Sequence, residues 1–272
     1  METNYDESVG RTRGGGSLIG RTLRVFAVSL VGIAGLGISL YFGDTLPPIP
    51  EVSPTVAVAL SLVTPAILLL VASAVGAFCA PRVGLRSHIA GVSVERATET
   101  NGVTGGVTAE ARHAIPWGLF AGVLLVGLDA TFAAVTDLSL ATGGSTVGAV
   151  IASLPMRFLY GGIAEEVMLR WGFMALLALV IAGVAGQGRT PSRGVMWTSI
   201  VVSAVVFGLA HLPAVAQTAG LTPLIVARTI LLNSVGGILF GWLFWRDSLE
   251  AAMVGHASAH VILASSAFVV AL

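Results

Sequence analysis

The chain has no lysine, a single cysteine and very little charge. Of its 272 residues 10% are charged and 55% are hydrophobic, whereas a soluble domain carries about 25% charged residues. The 14 basic residues, all arginines, balance 14 acidic ones, so net charge does not indicate nucleic-acid binding. The lone Cys79 excludes an intramolecular disulfide and, inside an apolar run, is interpreted as a buried inert thiol rather than a nucleophile. This composition is typical of an integral membrane protein.

Seven apolar runs predict an all-α, polytopic membrane protein with about seven transmembrane helices. The predicted spans are residues 23–43, 55–80, 115–135, 147–185, 195–212, 224–245 and 248–272. The fourth would be about 58 Å long as one helix, against a hydrocarbon core of roughly 30 Å. We therefore predict a break near Gly161-Gly162 or Pro155, the alternative being a helix that projects out of the membrane.

The arginines predict the orientation of the chain in the membrane. With a cytoplasmic N-terminus, inner segments and their flanks hold arginines 11, 13, 21, 24, 82, 86, 96, 112, 189, 193 and 246, whereas the outer loops hold none. This asymmetry predicts a multi-pass protein of the cell membrane with its N-terminus inside. We expect residues 1–20 to be a disordered cytoplasmic tail, 21–114 to hold membrane helices and a cytoplasmic loop, and 115–272 to form the functional membrane domain.

Two adjacent glutamates lie inside the fourth apolar run, where ionised groups are costly. Glu166 and Arg170 are four residues apart, a spacing that favours an ion pair on one helix face. Glu165 points about 100° away, and without a local partner it is suited to act as a general base on water. The alternative for Glu166 and Arg170 is a structural ion pair that braces two helices.

Three histidines follow in later spans. Phe207 and His211 lie one turn apart near the outer end of the fifth span, and His256 and His260 lie one turn apart in the last span. The i, i+4 histidine spacing is used for metal ligation on helices. The alternatives are an interface or capping role for His211 and interhelical hydrogen bonds for the other two.

The motifs Glu165-Glu166-x-x-x-Arg170, Phe207-x-x-x-His211 and His256 with a polar residue four positions later resemble the CPBP intramembrane proteases. These include the type 2 CAAX prenyl endopeptidases and the lysostaphin-resistance-protein-A-like, bacteriocin-immunity-associated (Abi) proteins. The resemblance covers roughly residues 115–270. It implies a membrane endopeptidase whose catalytic cavity opens to the cytoplasmic side.

By this resemblance Glu165 and His211 would activate a water, His256 and His260 would stabilise the oxyanion, and Glu166 and Arg170 would orient the others. The family usually has asparagine in place of His260, and a neutral histidine also donates a hydrogen bond. It also favours Phe-Arg-Gly where this chain has Leu-Arg-Trp-Gly at residues 169–172, a change expected to affect substrate shape.

We therefore expect hydrolysis of a peptide bond in a membrane-anchored or lipidated, for instance prenylated, substrate. A glutamate-activated water would serve without a metal; if Zn2+ is the cofactor, Glu165, His211 and His256 are its candidate ligands. Partners are the peptide substrate and the lipid bilayer, with no nucleic acid. Two alternatives are a catalytically silent immunity or scaffold protein and a proton-coupled transporter; against the transporter, the chain shows no internal repeat.

Overall fold

The computed structural model describes residues 12–14, 16–43, 51–94, 106–136, 146–188, 190–218 and 220–272. Most of the predicted disordered tail and most residues between the predicted spans, at 44–54 and 136–145, lie outside this set. Within the predicted tail, Thr12–Gly14 form a short strand (β1) and the first helix already begins at Leu18, so the tail prediction is wrong for those residues.

Among the described residues, seven helical spans are long and apolar enough to cross a membrane, which confirms the predicted all-α polytopic fold. Large side chains such as Phe42, Leu60, Val123 and Val180 point outward, as expected of lipid-facing surfaces. The helices are α1 (Leu18–Gly43), α2 (Pro54–Cys79), α3 (Val107–Thr136), α4 (Val147–Pro155), α5 (Ala175–Val184), α6 (Arg193–Ala210), α7 (Leu212–Thr218), α8 (Pro223–Arg246) and α9 (Leu249–Ala271).

Hydroxyl side chains define where five of these helices begin. Ser53, Thr146, Ser192, Thr222 and Ser248 each accept a hydrogen bond from the backbone N–H three residues on. Such caps satisfy one of the donors that a helix N-terminus leaves without an intrahelical partner. Helix starts are thus encoded locally by the sequence.

The fourth span runs without a break from Val147 to Val184, so the predicted interruption is wrong. Between α4 and α5 the helix widens into two π-helical stretches, Met156–Glu165 and Val167–Met174. Beside Pro155, which cannot donate, the Met156 N–H donates to Ser39 Oγ of α1 at 2.9 Å. The continuous helix, which was the alternative prediction, is the one observed.

Gly161 and Gly162 do not break the helix because they face α9. A Cβ at Gly162 would lie 3.3 Å from the Ala257 Cβ, and one at Gly161 would lie 2.8 Å from His260 Nε2. The absence of side chains lets the two helices approach closely. In this chain the glycine pair therefore serves packing.

Other helices pack against the middle of the fourth span on several sides. α1, α2, α6 and α9 contact it, α3 packs along α9, and α6 packs along α8. Trp171 is fully buried against Gly76 of α2, and its Nε1–H donates to the Ser73 carbonyl at 3.2 Å. The two adjacent glutamates therefore lie on a helix with protein on several sides.

The segment after α2 is folded against the starts of α3 and α9. Val92–Val94 (β2) pairs with β1, and buried Glu250 accepts hydrogen bonds from Ser87 Oγ at 2.7 Å, the His88 N–H at 3.1 Å and the Ile89 N–H at 2.9 Å. Residues 107–114, predicted as loop, are instead the first two turns of α3. The predicted domain boundary at 114/115 therefore falls inside a helix.

Candidate active site

A cavity of about 810 Å³ lies between the fourth span and helices α3, α8 and α9, with α1 and the α6–α7 junction at its edge. Its lining comes from the C-terminal half of α3, from the middle and C-terminal part of α9, and from residues 228–240 of α8. It therefore lies toward the end of the bundle opposite the folded segment at residues 80–94. Glu165, His211, His256 and His260 all line it.

Glu166 is the centre of a buried polar network. Its Oε1 lies 2.7 Å from His256 Nδ1, and its Oε2 lies 3.2 Å from Arg170 Nε. The second contact is an ion pair rather than an aligned hydrogen bond, because Oε2 has no geometrically acceptable donor among the described residues. The ion pair predicted from the i, i+4 spacing is confirmed.

Arg170 is almost entirely buried and is held by several groups besides Glu166. Its Nη2 donates to the Gly237 carbonyl at 3.2 Å, and its guanidinium carbon lies 4.9 Å from the centre of the Phe207 ring. A charge buried this deeply is stabilised only by such partners. The network thereby ties the fourth span to α6, α8 and α9.

The Glu166 contact determines the tautomer of His256. An ionised carboxylate only accepts hydrogen bonds, so Nδ1 carries a proton and Nε2 is left for the cavity. The ring is also stacked on Phe240, with centroids 4.4 Å apart and an interplanar angle of 17°. His256 is thus fixed both in orientation and in the atom that it presents.

His211 is fixed in the same way by a backbone group. Its Nδ1 lies 2.8 Å from the Phe207 carbonyl oxygen, so Nδ1–H is the donor and Nε2 is free to take a proton or bind a metal. The Phe207 ring meets the His211 ring edge to face at 4.6 Å and the His256 ring at 6.1 Å. Phe207 therefore separates and positions the two imidazoles.

Glu165 is half-buried and lines the cavity. No hydrogen bond or ion pair links its carboxylate to any residue that the structure describes. This differs from Glu166, whose two oxygens are both engaged. The sequence prediction that the adjacent glutamates differ in environment is confirmed.

His260 stacks on His256 with centroids 4.9 Å apart, one helical turn further along α9. Its Nδ1 is buried without a hydrogen-bond partner among the described residues, and its Nε2 faces the Cα of Gly161. A buried nitrogen without a partner is costly unless a ligand or water satisfies it. The ring is therefore placed to interact with a group that enters the cavity.

Other polar residues, Asp129, Arg157, Arg228 and Asn233, also line the cavity. Arg228 donates to Asp129 through Nε at 2.6 Å, which links α8 to α3. Asn233 instead donates to the Thr229 carbonyl of its own helix, and Arg157 donates to Ser153. Of the two residues beside Arg170 that depart from the family pattern, Leu169 lines the cavity but Trp171 is buried elsewhere.

The predicted zinc ligands Glu165, His211 and His256 do not come together as a coordination site. Within the described residues, no three His, Cys, Asp or Glu side chains converge closely enough to hold a metal ion, although Glu165, His211 and His256 share the cavity. The free Nε2 atoms of the two histidines are suitable donors. The described residues therefore do not form a metal site in this arrangement.

Residues 147–262 match the family model described as type II CAAX prenyl endopeptidase Rce1-like. This segment belongs to that family. The match contains all three motifs, so the family recognised from them is confirmed, and a protease of the CAAX type follows at the level of the family. No curated protein and no solved structure matches the chain.

Two cavity residues of the Rce1-like segment, Tyr160 and Gly161, were not identified from the sequence. A signal was present, because Arg157, Tyr160, Gly161 and Glu165 have the i, i+3, i+4, i+8 spacing of one helix face. The spacing alone does not show that this face borders a cavity. That requires the positions of α8 and α9.

Proposed function

We propose that this chain is an intramembrane endopeptidase that hydrolyses a peptide bond of a membrane-anchored substrate with water activated by Glu165 and His211. The observation that supports this proposal is the placement of a carboxylate without a partner and two imidazole Nε2 atoms in one cavity within the membrane. A general base takes a proton from the attacking water when its accepting atom lies within hydrogen-bond distance of that water.

The first step adds water to the substrate carbonyl. The water oxygen bonds to the carbonyl carbon while its proton moves to the Glu165 carboxylate or His211 Nε2. The C–N bond then breaks, and the same proton passes to the leaving amine, so that one water is consumed and two peptide fragments form. His211 keeps Nδ1–H on the Phe207 carbonyl throughout, which holds Nε2 in place.

The negative charge on the tetrahedral intermediate requires donors. His256 in its imidazolium form donates through Nε2–H while Nδ1–H stays on Glu166, and His260 lies next to it with Nε2 toward Gly161. Glu166 and Arg170 act as positioning residues, because both are buried and neither lines the cavity. This division of roles is the one that the family resemblance implies.

The substrate is proposed to be a lipidated peptide, for instance a prenylated one. Much of the cavity wall is aliphatic, including Leu36, Leu125, Leu232 and Leu263, and an apolar group buried there gains roughly 25 cal/mol per Å². Hydrocarbon attached to the peptide would therefore contribute to binding. The immunity-related function stays a prediction, as does the metalloprotease subtype.

The side from which substrate enters follows from the arginines. We infer that the N-terminus is cytoplasmic, because the arginines cluster at the end that carries residues 80–94 and 185–193. The cavity lies toward the opposite end, so it would open to the outer side. This outer opening conflicts with the cytoplasmic opening that the family resemblance implies, so only one of the two expectations can be correct.

Single cysteines would decide the orientation. In a Cys79→Ser background, Leu221→Cys marks the cavity end and Thr190→Cys marks the arginine-rich end; both positions are exposed. A membrane-impermeant maleimide should label Leu221→Cys in intact cells and Thr190→Cys only after permeabilisation. The reverse pattern would place the cavity on the cytoplasmic side.

Cleavage of a quenched prenylated peptide by purified protein tests the function. Wild type should cleave, and Glu165→Ala and His211→Ala should each lose on the order of 10²-fold or more, as expected for removal of a general base. Sensitivity to a chelator would add a metal to the site. Protein that cleaves no membrane peptide but moves a solute across liposomes would instead support the transporter.

A further inference from the structure

Tyr160 is a cavity residue that has no role in the hydrolysis as described so far. It lies in the first π-helical stretch, is half-buried, and lines the cavity together with Glu165 and His211. Its ring packs against the buried core, whereas its hydroxyl makes no hydrogen bond to any residue that the structure describes. A buried tyrosine hydroxyl usually has a partner. The Tyr160 hydroxyl is therefore available to a group that enters the cavity.

The π-helical backbone brings Tyr160 to the same side of the helix as Glu165. The two residues are five apart in sequence, and in an α-helix their side chains would point about 140° apart. A π-helix forms its hydrogen bonds between residues five apart, so Tyr160 and Glu165 lie about one turn from each other on one face. Both side chains accordingly line the cavity. The widened helix thus presents a hydroxyl and a carboxylate to the same space.

Peptide hydrolysis needs a proton donor for the leaving nitrogen. An amine leaves a tetrahedral intermediate only after its nitrogen is protonated, because an amide anion is too basic to be expelled. In the proposed function Glu165 and His211 act on the water, and His256 and His260 donate to the oxyanion. None of these four groups is dedicated to the leaving nitrogen.

The other polar side chains in the cavity are poorly suited to give up a proton. Ser266 donates to a carbonyl of its own helix at 3.0 Å, and Asn233 does the same at 2.8 Å. An arginine such as Arg157 stays protonated in proteins, whereas a phenol is protonated at neutral pH and can still release its proton. Tyrosine is accordingly one of the residues that act as general acids.

The direction of Gly161 shows which side of the helix faces the oxyanion donors. A Cβ at Gly161 would lie 2.8 Å from His260 Nε2 and 3.6 Å from His256 Nε2. Neighbouring side chains on a helix point about 100° apart, so Tyr160 points away from these two histidines. The oxyanion and the leaving nitrogen also extend in different directions from the carbonyl carbon. A substrate whose oxyanion meets the histidines can therefore direct its leaving nitrogen toward Tyr160.

We propose that Tyr160 is a further catalytic residue, whose hydroxyl protonates the leaving amine. This inference rests on the proposed peptidase function and deepens it. As the C–N bond breaks, its electron pair stays on nitrogen, which takes the phenolic proton, and the oxyanion re-forms a carbonyl. The phenolate then takes the proton that Glu165 removed from the water. Both residues return to their starting state, and one water is consumed.

The experiment compares two quenched prenylated peptides that differ only at the scissile bond, one an amide and one a thioester. A thiol has a pKa of about 8.5, so a thiolate leaves without a proton and needs no general acid. Tyr160→Phe removes only the hydroxyl. It should lower kcat/KM for the amide by on the order of 10²-fold or more and change that for the thioester by less than about threefold.

Two control variants accompany this comparison. Tyr41→Phe removes a hydroxyl from α1, where Tyr41 is exposed and does not line the cavity, so both rates should stay at the wild-type level. Glu165→Ala should lower both rates, because each substrate requires an activated water. Thermal unfolding in detergent should give the same midpoint for Tyr160→Phe as for wild type, since the hydroxyl has no partner among the described residues.

Three results for Tyr160→Phe would refute its role as the proton donor. Equal loss of amide and thioester cleavage would mean that the hydroxyl acts on the oxyanion or positions Glu165. Unchanged amide cleavage would mean that it does not take part, and a clearly lower thermal midpoint would mean that it is bonded within the protein. Wild type that cleaves neither peptide would instead refute the proposed function itself.

Discussion

Variants of the network of Glu166, Arg170 and His256 distinguish a structural role of the buried ion pair from a role in catalysis. In Glu166→Gln the Arg170 guanidinium, 1% exposed, loses its counter-ion and keeps only the Gly237 carbonyl and the phenylalanine faces. Removal of one partner from a buried pair costs about 3–5 kcal/mol. We therefore expect a clear decrease in thermal midpoint in detergent for this single variant.

The double variant Glu166→Gln/Arg170→Met removes both charges and keeps similar volumes. Replacement of a whole buried pair is often neutral, so we expect most of the lost stability to return. The amide introduced by Glu166→Gln still offers an oxygen to His256 Nδ1–H, but it no longer supplies the negative charge that supports an imidazolium. Replacing an orienting carboxylate by an amide can lower kcat by roughly 10⁴, so we expect peptide cleavage to stay at least about 10²-fold low.

Two measurements decide between the roles, unfolding in detergent and cleavage of the quenched peptide by the same samples. Arg170→Met alone serves as the control, because it keeps the contact between Glu166 and His256. A double variant that is both stable and as active as wild type would refute the reasoning. The pair would then be only a brace between helices.

Three further variants test other parts of the structure. Gly161→Ala adds a Cβ 2.8 Å from His260 Nε2. We expect kcat/KM for peptide cleavage to fall about 10-fold or more with little loss of stability. Unchanged kcat/KM would show that the two helices can move apart to make room for the Cβ. His260→Asn installs the residue usual in the family and should keep cleavage within about tenfold of wild type, since an amide also donates; complete loss would mean that the imidazole is specifically required. Glu250→Gln weakens an acceptor of three hydrogen bonds far from the cavity. It should lower the free energy of unfolding by about 1–3 kcal/mol, seen as a lower thermal midpoint, and leave kcat unchanged. A fall in kcat at equal stability would link this end of the bundle to catalysis.

Local patterns predicted much of the fold. Apolar runs predicted seven spans, and hydroxyl residues mark several of their starts, because both depend on residues within a turn or two. The ion pair of Glu166 and Arg170 also depends on one helical turn, so its prediction from spacing is confirmed. The family was recognised for a related reason. Each of its motifs spans only one helical turn, so the motifs and their order along the chain can be identified from the sequence.

The interruption at Gly161-Gly162 was predicted wrongly because glycine has two uses that look alike in a sequence. It weakens a helix, and it lets another helix approach. Only the position of α9, with Ala257 and His260 against the two glycines, shows that the second use applies. The early start of α3 has a similar cause, since Glu110 becomes compatible with burial through His88, 3.0 Å away, Arg86, 3.6 Å away, and Ser248.

By itself the sequence predicted a seven-span membrane protein and the family whose model matches residues 147–262, and it identified the glutamates and histidines that we propose carry the chemistry. Tertiary structure decided what each of them faces. It placed Glu166 on His256 and Arg170, left Glu165 open to the cavity, and brought Arg157 into the same space. The physical reason is that a local pattern fixes which side of a helix a residue occupies, whereas hydrogen-bond partners and cavities arise between helices distant in the chain.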